Sequence, residues 1–540
     1  MKDVFYLLFM LTYIGAVVLT IRYYTHMLQL SSYQFQGYFR FLKGHLQYYG
    51  LHTGNAVLLI WVGAYFYFSQ QSWHWMMIVA LIFQVFLIFQ YIPKAAKKKF
   101  VITKRVERLF VTDVIIIGIL AVIGAVCYKH MTAGIVVMTT IAGLFIGLLP
   151  LFVALTNLIN KPVEKKINDY YINDAKRILS EHPSLRIIGI TGSFGKTSLK
   201  YYLTTLLSEG YRVLMTPESF NTPMGVVRTI RNDLQNVHEI FVCEMGARHV
   251  GDIKEICDIV HPDDGIITSI GHQHLETFHT LDNIINTKYE LFDAVEEKKH
   301  ANGAKEGQNL KLINGDNEII SSHMKYKDAI TYGMNEGNDY RATDIKVTKA
   351  GTSFTVTSPK GESVSFSMKL VGAHNVQNVV GAIAAADSLG VPMTKLSMAV
   401  RRLQPVPHRL QLTQHGNVSI LDDAYNSNPA GAKVAAETLA LFDDTVKILV
   451  TPGMVELGDK EDEYNKEFGK QVAATCDYII LVGAEHTKPI LDGALEAGFA
   501  KDNIFVKDSF AEASKLMYEI DAGREKVILL ENDLPDNYNK

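Results

Sequence analysis

Hydrophobic and polar positions divide the 540-residue chain into two contrasting parts. Residues 1–160 contain long apolar runs, each close to the ~20 residues that a helix needs to cross a bilayer. The five runs are Val4–Ile21, Leu51–Phe68, Trp75–Ile92, Val111–Cys127 and Ile135–Leu158. So many runs are difficult to enclose in one soluble core. The pattern therefore predicts a five-helix transmembrane domain over residues 1–160, followed by a linker over residues 161–184.

The rest of the chain alternates short Val- and Ile-rich runs with helical patterns, which predicts an α/β architecture with parallel sheets. The expected strands of a first domain, residues 185–404, are Arg186–Ile190, Arg212–Met215, Glu239–Cys243 and Asp264–Ser269. Within it, Ala342–Leu370 alternates polar and apolar residues and predicts an antiparallel β insertion. A Rossmann-like domain is expected over residues 405–540, with strands near Ser419–Leu421, Val446–Thr451, Tyr478–Val482 and Val527–Leu530.

The distribution of basic residues predicts how the apolar segments are oriented in the membrane. Pro93–Phe110 has seven Lys and Arg residues, whereas Ser69–His74 has none and Tyr128–Gly134 has one. The positive-inside rule therefore predicts an N-terminus outside the cell and a cytoplasmic location for everything after Asn160. The Tyr- and Phe-rich segment Tyr23–Gly50 is typical of an interfacial helix whose aromatic residues either anchor it or contact lipid head groups.

Overall composition narrows the choice of partners. The net charge of −3 provides no global basic field, so a nucleic-acid partner is not expected. The four cysteines have no C-x-x-C spacing, which indicates neither a zinc ribbon nor a disulfide framework.

The stretch Ile190–Ser198, ITGSFGKTS, follows an apolar run and opens a helical pattern. A glycine-rich turn between a strand and a helix directs backbone N–H groups at a phosphate. Lys196 is expected to reach the terminal phosphates and the Thr197 hydroxyl to ligate Mg²⁺. Ile190 stands where the common P-loop pattern has glycine, so the match is to the variant T-G-[ST]-x-G-K-[ST]. The expected nucleotide-binding residues are Thr191, Gly192, Ser193, Gly195, Lys196, Thr197 and Ser198. ATP is found in the cytoplasm. A nucleotide site in this loop therefore agrees with the cytoplasmic location that the charge pattern predicts for everything after Asn160.

Further polar motifs follow this loop in a fixed order. In the first, Glu244 lies at the C-terminal end of an expected strand, where ligands collect in open α/β sheets. The motifs are FVCEMGARHVGDI (241–253), GHQHLETF (271–278), NTKYELF (286–292), GAHNVQN (372–378), PVPHRL (405–410) and DDAYNSNP (422–429). Each is a weak signal by itself, and their order makes the series specific.

Together with the phosphate loop, this series resembles the Mur ligase family over about residues 185–460. It is most similar to the MurF branch, which joins D-alanyl-D-alanine to a UDP-muramoyl tripeptide. The resemblance implies a P-loop central domain in which ATP phosphorylates a substrate carboxylate and an amine attacks the acyl phosphate. Such catalysis depends mainly on positioning and electrostatics. The implied partners are a cell-envelope precursor carboxylate and an amino-acid or dipeptide amine.

The resemblance also implies catalytic residues, namely Lys196, Glu244, His274 and Lys288. Thr197 and Glu244 would hold one Mg²⁺, and His274 would help to hold a second. Lys288 matches a lysine that the family carbamylates, which would replace an ammonium that repels Mg²⁺ with an anion. The residues alone leave simpler roles open: a strand-end surface carboxylate, a core histidine and a surface lysine on a helix.

Other residues are implied in nucleotide and substrate binding. Asn375 and Asn378 would face the adenine, Arg409 would clamp a phosphate and Asp423 would bind the ribose. Glu456 would orient the incoming amine. The implied substrate-binding residues are Asn221, Thr222, Asn426, Asn428 and Glu456. Turns, helix capping, an interdomain salt bridge and a charge at a helix start are the structural alternatives.

The chain departs from the family pattern in ways that leave its substrate open. The predicted spans stand where the family has a domain that grips the UDP-sugar, the Lys-Gly-Ser-Arg stretch of MurF is missing near residue 531, and His408 replaces a glycine. The favoured hypothesis is a membrane-anchored amide ligase of peptidoglycan precursor or related cell-envelope synthesis, working beside other membrane-bound enzymes. A γ-glutamyl-type polymer ligase is the alternative.

Two hypotheses from other classes are disfavoured. An ATP-driven transporter usually needs charges along its substrate pathway, and the predicted spans contain few polar groups besides Asp113, Gln84 and Gln90. A catalytically dead scaffold is disfavoured by the presence of Lys196, Thr197, Glu244 and His274.

Overall fold

The chain is described by a computed structural model. It describes residues 2–46, 49–69, 74–93, 98–130, 133–302, 309–348, 351–425, 427–520 and 523–533. The chain divides into two compact units. The first, a helical unit, ends at Asp169, and the second, an α/β unit, runs from Tyr170 to Asp533.

Up to Ser180, the described residues form seven helices. They are α1 (Lys2–Leu30), α2 (Phe35–Gly44), α3 (Tyr49–Ser69), α4 (His74–Tyr91), α5 (Lys104–His130), α6 (Gly134–Gly147) and α7 (Leu149–Ser180). Among the described residues, three stretches are long and apolar enough to cross a membrane: Leu7–Leu30, Tyr49–Phe68 and Lys104–His130. Trp75–Tyr91 is apolar but shorter, and a fourth candidate exists only if α6 and α7 count as one broken span.

The expected span Ile135–Leu158 is therefore wrong as a single helix, since α6 and α7 meet at an angle of 80°. Pro150 explains the break, because proline has no N–H to donate to the carbonyl four residues earlier and its ring clashes with that carbonyl. That carbonyl belongs to Ile146, and the Nδ1 atom of His52 lies 3.1 Å from it. The Tyr38 hydroxyl donates to the Pro150 carbonyl at 2.8 Å. Side chains of α2 and α3 thus stabilise the broken segment.

Helices α3 and α6 approach closely through glycines, as is common where helices pack in membranes. A Cβ atom added to Gly143 would lie 2.7 Å from the carbonyl oxygen of Ala56, and one added to Gly147 would lie 3.0 Å from the Ala56 Cβ. On α3, a side chain at Gly63 would overlap Thr139. This contact therefore has no room for larger residues.

The second unit begins with a nine-stranded sheet in the order β2-β3-β1-β4-β5-β6-β7-β8-β9. Its strands are β1 (Arg186–Thr191), β2 (Val213–Met215), β3 (Ile240–Glu244), β4 (Asp264–Ile267), β5 (Lys311–Asn314), β6 (Ile330–Gly333), β7 (Tyr340–Thr348), β8 (Gly351–Thr357) and β9 (Ser363–Met368). The pairs from β2 to β7 are parallel, and β7, β8 and β9 pair antiparallel. The expected antiparallel strands are thus present, and they continue the main sheet from β6 onward.

Helices cover both faces of this sheet. They are α8 (Lys196–Leu207), α9 (Pro223–Asp233), α10 (Asp252–Val260), α11 (Leu275–Phe278), α12 (Leu281–Asn302), α13 (Glu318–Ser322), α14 (Ala373–Ser388) and α15 (Met393–Arg401). Ile188 and Ile190 of β1 pack in one core with α8 and α14, whereas Ile187 packs in another with α10 and α12. Burial on both faces explains the nearly continuous apolar runs of the strands.

A six-stranded sheet in the order β10-β11-β15-β12-β13-β14 follows, with only β10 antiparallel to its neighbour. Its strands are β10 (Gln411–His415), β11 (Val418–Asp423), β12 (Val446–Thr451), β13 (Tyr478–Val482), β14 (Ile504–Lys507) and β15 (Lys526–Glu531). The helices are α16 (Pro429–Ala440), α17 (Glu461–Ala473), α18 (Ala484–Glu496) and α19 (Phe510–Glu519), with 3₁₀ turns at Gly458–Lys460 and Lys501–Asn503.

The packing of α3 on α6 is testable through its glycines. Gly143→Ala should lower the stability of the protein in detergent by about 1–3 kcal/mol, because the added methyl group has no space. The matched control is Gly118→Ala on α5, where an added Cβ meets no atom within 4 Å. Thermal unfolding monitored by tryptophan fluorescence compares the two. Equal melting temperatures would contradict close packing at Gly143.

Candidate active site

The phosphate loop lies between β1 and α8, at the carboxyl end of β1, which pairs with β3 on one side and β4 on the other. Gly192 and Gly195 have φ angles of 152° and 83°. A Cβ atom at Gly195 would lie 2.6 Å from Asn378 Oδ1, so both conformation and space require glycine there. Helix α8 begins at Lys196, and its positive N-terminal end faces the loop. This arrangement suits a phosphate.

Lys196 folds back onto the loop. Its Nζ atom donates hydrogen bonds to the carbonyl oxygens of Gly192 at 2.7 Å and Ser193 at 3.2 Å. Loss of solvation lowers the pKa of Lys196 to about 8, although Glu244 opposes this effect. The segment after β4 also contacts the loop, because the Ser269 hydroxyl accepts a hydrogen bond from Phe194 N at 2.8 Å.

Glu244 lies at the carboxyl end of β3 and is completely buried. Its Oε1 atom accepts hydrogen bonds from Thr197 Oγ1 at 3.1 Å and from Asn221 Nδ2 at 3.0 Å. The Nζ atom of Lys200 lies 3.0 Å from its Oε2 atom. Burial opposes ionisation, but Lys200 and Lys196 outweigh it, so the pKa of Glu244 is lowered. The carboxylate is therefore charged at neutral pH.

His274 and Glu456 meet although they come from different sheets. His274 follows β4, Glu456 follows β12, and both adopt positive φ angles, 54° and 66°. Since a carboxylate only accepts, the Nδ1–H group of His274 donates to Glu456 Oε2, at 2.7 Å. Burial lowers the pKa of His274 despite this partner, which leaves Nε2 as a neutral lone-pair donor. Arg248 Nη1 lies 3.6 Å from the other oxygen of Glu456.

Lys288 lies on α12 and is only 3% exposed. Burial, and after it the charge of Lys196, lower the pKa of Lys288 to about 7. Within the part of the chain that the structure describes, Lys288 forms no hydrogen bond or close ion pair. It is a neutral amine in a substantial fraction of molecules at neutral pH.

The two asparagines expected at the adenine have different surroundings. Asn378 lies against Gly195 of the phosphate loop. Asn375 is buried, accepts a hydrogen bond from the Tyr202 hydroxyl at 2.9 Å and donates to the Val371 carbonyl at 2.9 Å. Its amide is thus engaged inside the protein, which favours a packing role for Asn375.

Residues from the C-terminal sheet reach the same region. The Arg409 guanidinium lies 4.4 Å from the centre of the Tyr425 ring, and the Tyr425 hydroxyl is hydrogen-bonded to Ser219. Asp423 Oδ1 accepts a hydrogen bond from Leu410 N at 3.1 Å. Burial raises the pKa of Asp423 to about 6, while Arg409 opposes the increase.

Two of the expected substrate residues are helix N-caps. The Thr222 hydroxyl accepts a hydrogen bond from Gly225 N at the start of α9, and Asn428 Oδ1 accepts one from Gly431 N at the start of α16. Asn428 also lines a cavity beside the phosphate loop. Asn426 lies outside the described residues.

That cavity has a volume of about 370 Å³, within the range of small-ligand pockets. Ser193 and Phe194 of the phosphate loop form one wall, and Asp316 and Asn317 form part of another. Sequence analysis missed these last two residues. A signal was available, because Asp316 and Asn317 come two and three residues after the end of the buried strand β5.

A metal has suitable oxygen donors at this site. Thr197 and Glu244 supply a hydroxyl and a carboxylate, which Mg²⁺ prefers. No group of three or more His, Cys, Asp or Glu side chains is arranged around a metal position in the described ranges. A bound Mg²⁺ would therefore complete its coordination with nucleotide phosphates and water.

Comparisons with known proteins agree with this geometry. Residues 190–386 match the Mur ligase middle domain, and residues 408–531 match the Mur ligase, glutamate ligase domain. The chain is 32% identical over 321 residues to the UDP-N-acetylmuramoyl-tripeptide–D-alanyl-D-alanine ligase of Bacillus subtilis, covering 59% of this chain and 67% of the relative. The enzyme of the same name from Escherichia coli is 29% identical over 347 residues, with 61% and 73% covered.

Solved structures give the same result. The chain is similar to MurF from Acinetobacter baumannii, with a TM-score of 0.59 and 25% identity over 69% of this chain and 78% of that one. MurF from Thermotoga maritima in complex with ADP has the same fold, with a TM-score of 0.58. Since the two domain matches together span most of the α/β unit, the chain belongs to the Mur ligase family and is an ATP-dependent amide ligase.

Proposed function

We propose that this protein is a membrane-anchored ligase of the MurF type that extends a peptide precursor of the cell envelope. The observation that carries the proposal is the group of Lys196, Thr197 and Glu244 at the adjoining carboxyl ends of β1 and β3. The relatives are named for joining D-alanyl-D-alanine to a UDP-N-acetylmuramoyl tripeptide. We assign this chain a carboxylate and an amine of the same chemical classes.

The proposed reaction has two steps. A carboxylate oxygen of the precursor attacks the γ-phosphorus of ATP, and ADP leaves. The amine nitrogen then attacks the acyl carbon, phosphate leaves with the bonding electron pair, and the nitrogen loses a proton. Lys196 and the N-terminal end of α8 would stabilise negative charge on the transferred phosphoryl group.

The proposed site would bind two Mg²⁺ ions at separate positions. Thr197 and Glu244 fit one Mg²⁺, and His274 would contribute Nε2 to a second. Bound Mg²⁺ would neutralise phosphate charge. A histidine ligand is usually oriented by a carboxylate on its other nitrogen, and the 2.7 Å contact supports that role for Glu456. Arg409 and Asp423 are proposed to contact the nucleotide, and the cavity beside Phe194 to accept its base and ribose.

Carbamylation of Lys288 is part of the proposal. The neutral amine attacks CO₂, an N–C bond forms and one proton is released, which leaves an anionic carbamate. The low pKa of about 7 favours this reaction because it supplies the neutral amine at physiological pH.

Membrane anchoring is proposed for the helical unit. Its three long apolar helices support this location, and both family domains begin after them. The charge pattern favours an external N-terminus and cytoplasmic catalytic domains. Membrane lipid would then be a partner of this unit, and the amide product would form near the membrane surface.

Purified full-length protein should convert ATP, a UDP-linked muramoyl tripeptide and D-alanyl-D-alanine into ADP, phosphate and an amide, detected by mass spectrometry. Lys196→Ala should slow ATP turnover by about 10²-fold or more, because a charge partner of the transferred phosphoryl group is lost. The control Lys433→Ala removes a lysine that is 62% exposed on α16. Unchanged turnover in Lys196→Ala would contradict the site, and ATP hydrolysis without an amide product would contradict the ligase reaction.

The carbamate should be visible by NMR with isotope-labelled bicarbonate. With a pKa of about 7, the neutral fraction of Lys288 rises from about one tenth near pH 6 to about nine tenths near pH 8, so the signal should grow over that interval. A solvent-exposed lysine, with its usual pKa of 10.5, would respond only at much higher pH. Lys288→Arg should abolish the signal and reduce activity. A signal that persists in this variant would exclude Lys288 as its source.

Topology can be tested in whole cells with cysteines introduced one at a time in a Cys127→Ser background, in which the three remaining cysteines, Cys243, Cys257 and Cys476, are buried. A membrane-impermeant thiol reagent should label a cysteine at Ser72 from outside and a cysteine at Ala96 only after the cells are opened. Both positions lie outside the described residues, so this experiment tests the charge pattern alone. The opposite labelling would exclude a cytoplasmic ligase domain.

A further inference from the structure

Lys200 lies one helical turn after Lys196 and is completely buried. Its ammonium is 3.0 Å from Glu244 Oε2. It also donates a hydrogen bond to the backbone carbonyl of Glu218, a residue with a φ angle of 44° in the loop that carries Asn221. Lys200 thus joins α8, the carboxyl end of β3 and this loop. The proposed reaction gives it no role.

The position of the ammonium is unusual because it faces a proposed metal ligand. Glu244 Oε1 accepts hydrogen bonds from Thr197 and Asn221, whereas the buried Oε2 has, among the described residues, only its ion pair with Lys200. A divalent cation that approaches this carboxylate meets a positive charge at hydrogen-bonding distance from it. Lys200 therefore competes with the cation for Glu244.

We infer that Lys200 is a resident counter-cation that closes the site to free divalent metal and makes metal entry depend on nucleotide. A nucleoside triphosphate supplies negative charge that outweighs the ammonium of Lys200. Its phosphate oxygens take the place of Glu244 Oε2, which Lys200 keeps from the metal. Lys200 is a positioning residue in this scheme, since it acts on the metal through Glu244. The inference depends on the proposed Mg²⁺ site at Thr197 and Glu244.

A purely structural role makes a different prediction. If Lys200 only neutralised a buried carboxylate, its removal would destabilise the protein without strengthening metal binding in the absence of nucleotide. If it competes with the metal, its removal exposes a carboxylate that binds a cation more tightly. Metal affinity without nucleotide separates the two roles.

The experiment uses full-length protein in detergent and Mn²⁺ as a spectroscopic probe, measured by electron paramagnetic resonance. Wild-type protein should bind Mn²⁺ weakly alone and tightly with a non-hydrolysable ATP analogue. Lys200→Met should bind Mn²⁺ alone about tenfold more tightly, and the enhancement by nucleotide should shrink accordingly. Lys200→Arg, which keeps the charge, should resemble wild type, as should the surface control Lys433→Met.

The outcomes separate this inference from the proposed function. If wild type binds Mn²⁺ with the analogue but Lys200→Met binds Mn²⁺ alone no more tightly, the inference is overturned and the metal site stands. If wild type binds no Mn²⁺ even with the analogue, the metal site itself fails. Should Lys200→Met not fold, as judged by thermal unfolding, wild type still gives a test. Equal stabilisation of wild type by Mn²⁺ with and without the analogue would overturn the dependence on nucleotide.

Discussion

Glu244 brings a negative charge into a part of the α/β unit that is closed to solvent. A buried carboxylate is strongly unfavourable unless donors and a positive charge accompany it. The accompanying groups come from separate segments: α8 provides Thr197 and Lys200, and the loop before α9 provides Asn221. One charge therefore fixes the phosphate helix, this loop and the end of β3 relative to one another. The arrangement of side chains beside the phosphate loop follows from meeting the requirements of that carboxylate.

Unsatisfied polar groups also shape the helical unit. In an apolar environment a carbonyl without a partner is costly, and Pro150 creates one at Ile146. His52 compensates for it, and the Tyr91 hydroxyl lies 2.7 Å from the other ring nitrogen of His52. Near the start of α5, Arg108 makes two hydrogen bonds to Glu164, at 2.6 and 2.9 Å. Polar side chains in this unit thus maintain backbone geometry and helix contacts.

The sequence predicted most local structure of the α/β unit and less of its spatial arrangement. Val446–Thr451 and Tyr478–Val482 are strands with the expected bounds, because buried parallel strands leave apolar runs between turns. The order of the strands depends on contacts distant in sequence, and the continuation of the sheet through β7 was missed. Helical spacing places Asn375 and Asn378 on similar faces, but only packing shows that Tyr202 engages one of them. Pro150 was a visible signal within the fifth apolar run and was not used.

The contact between His274 and Glu456 joins residues 182 positions apart that belong to two different sheets. In the proposed mechanism neither sheet carries every group, so the ability to react would depend on their assembly. We expect that nucleotide held by the first sheet alone would meet an imidazole without its orienting carboxylate. With the two sheets apart, ATP would then stay bound without reacting. Phosphoryl transfer would begin only after the sheets approach each other. The six-stranded sheet would in this way control timing as well as substrate binding.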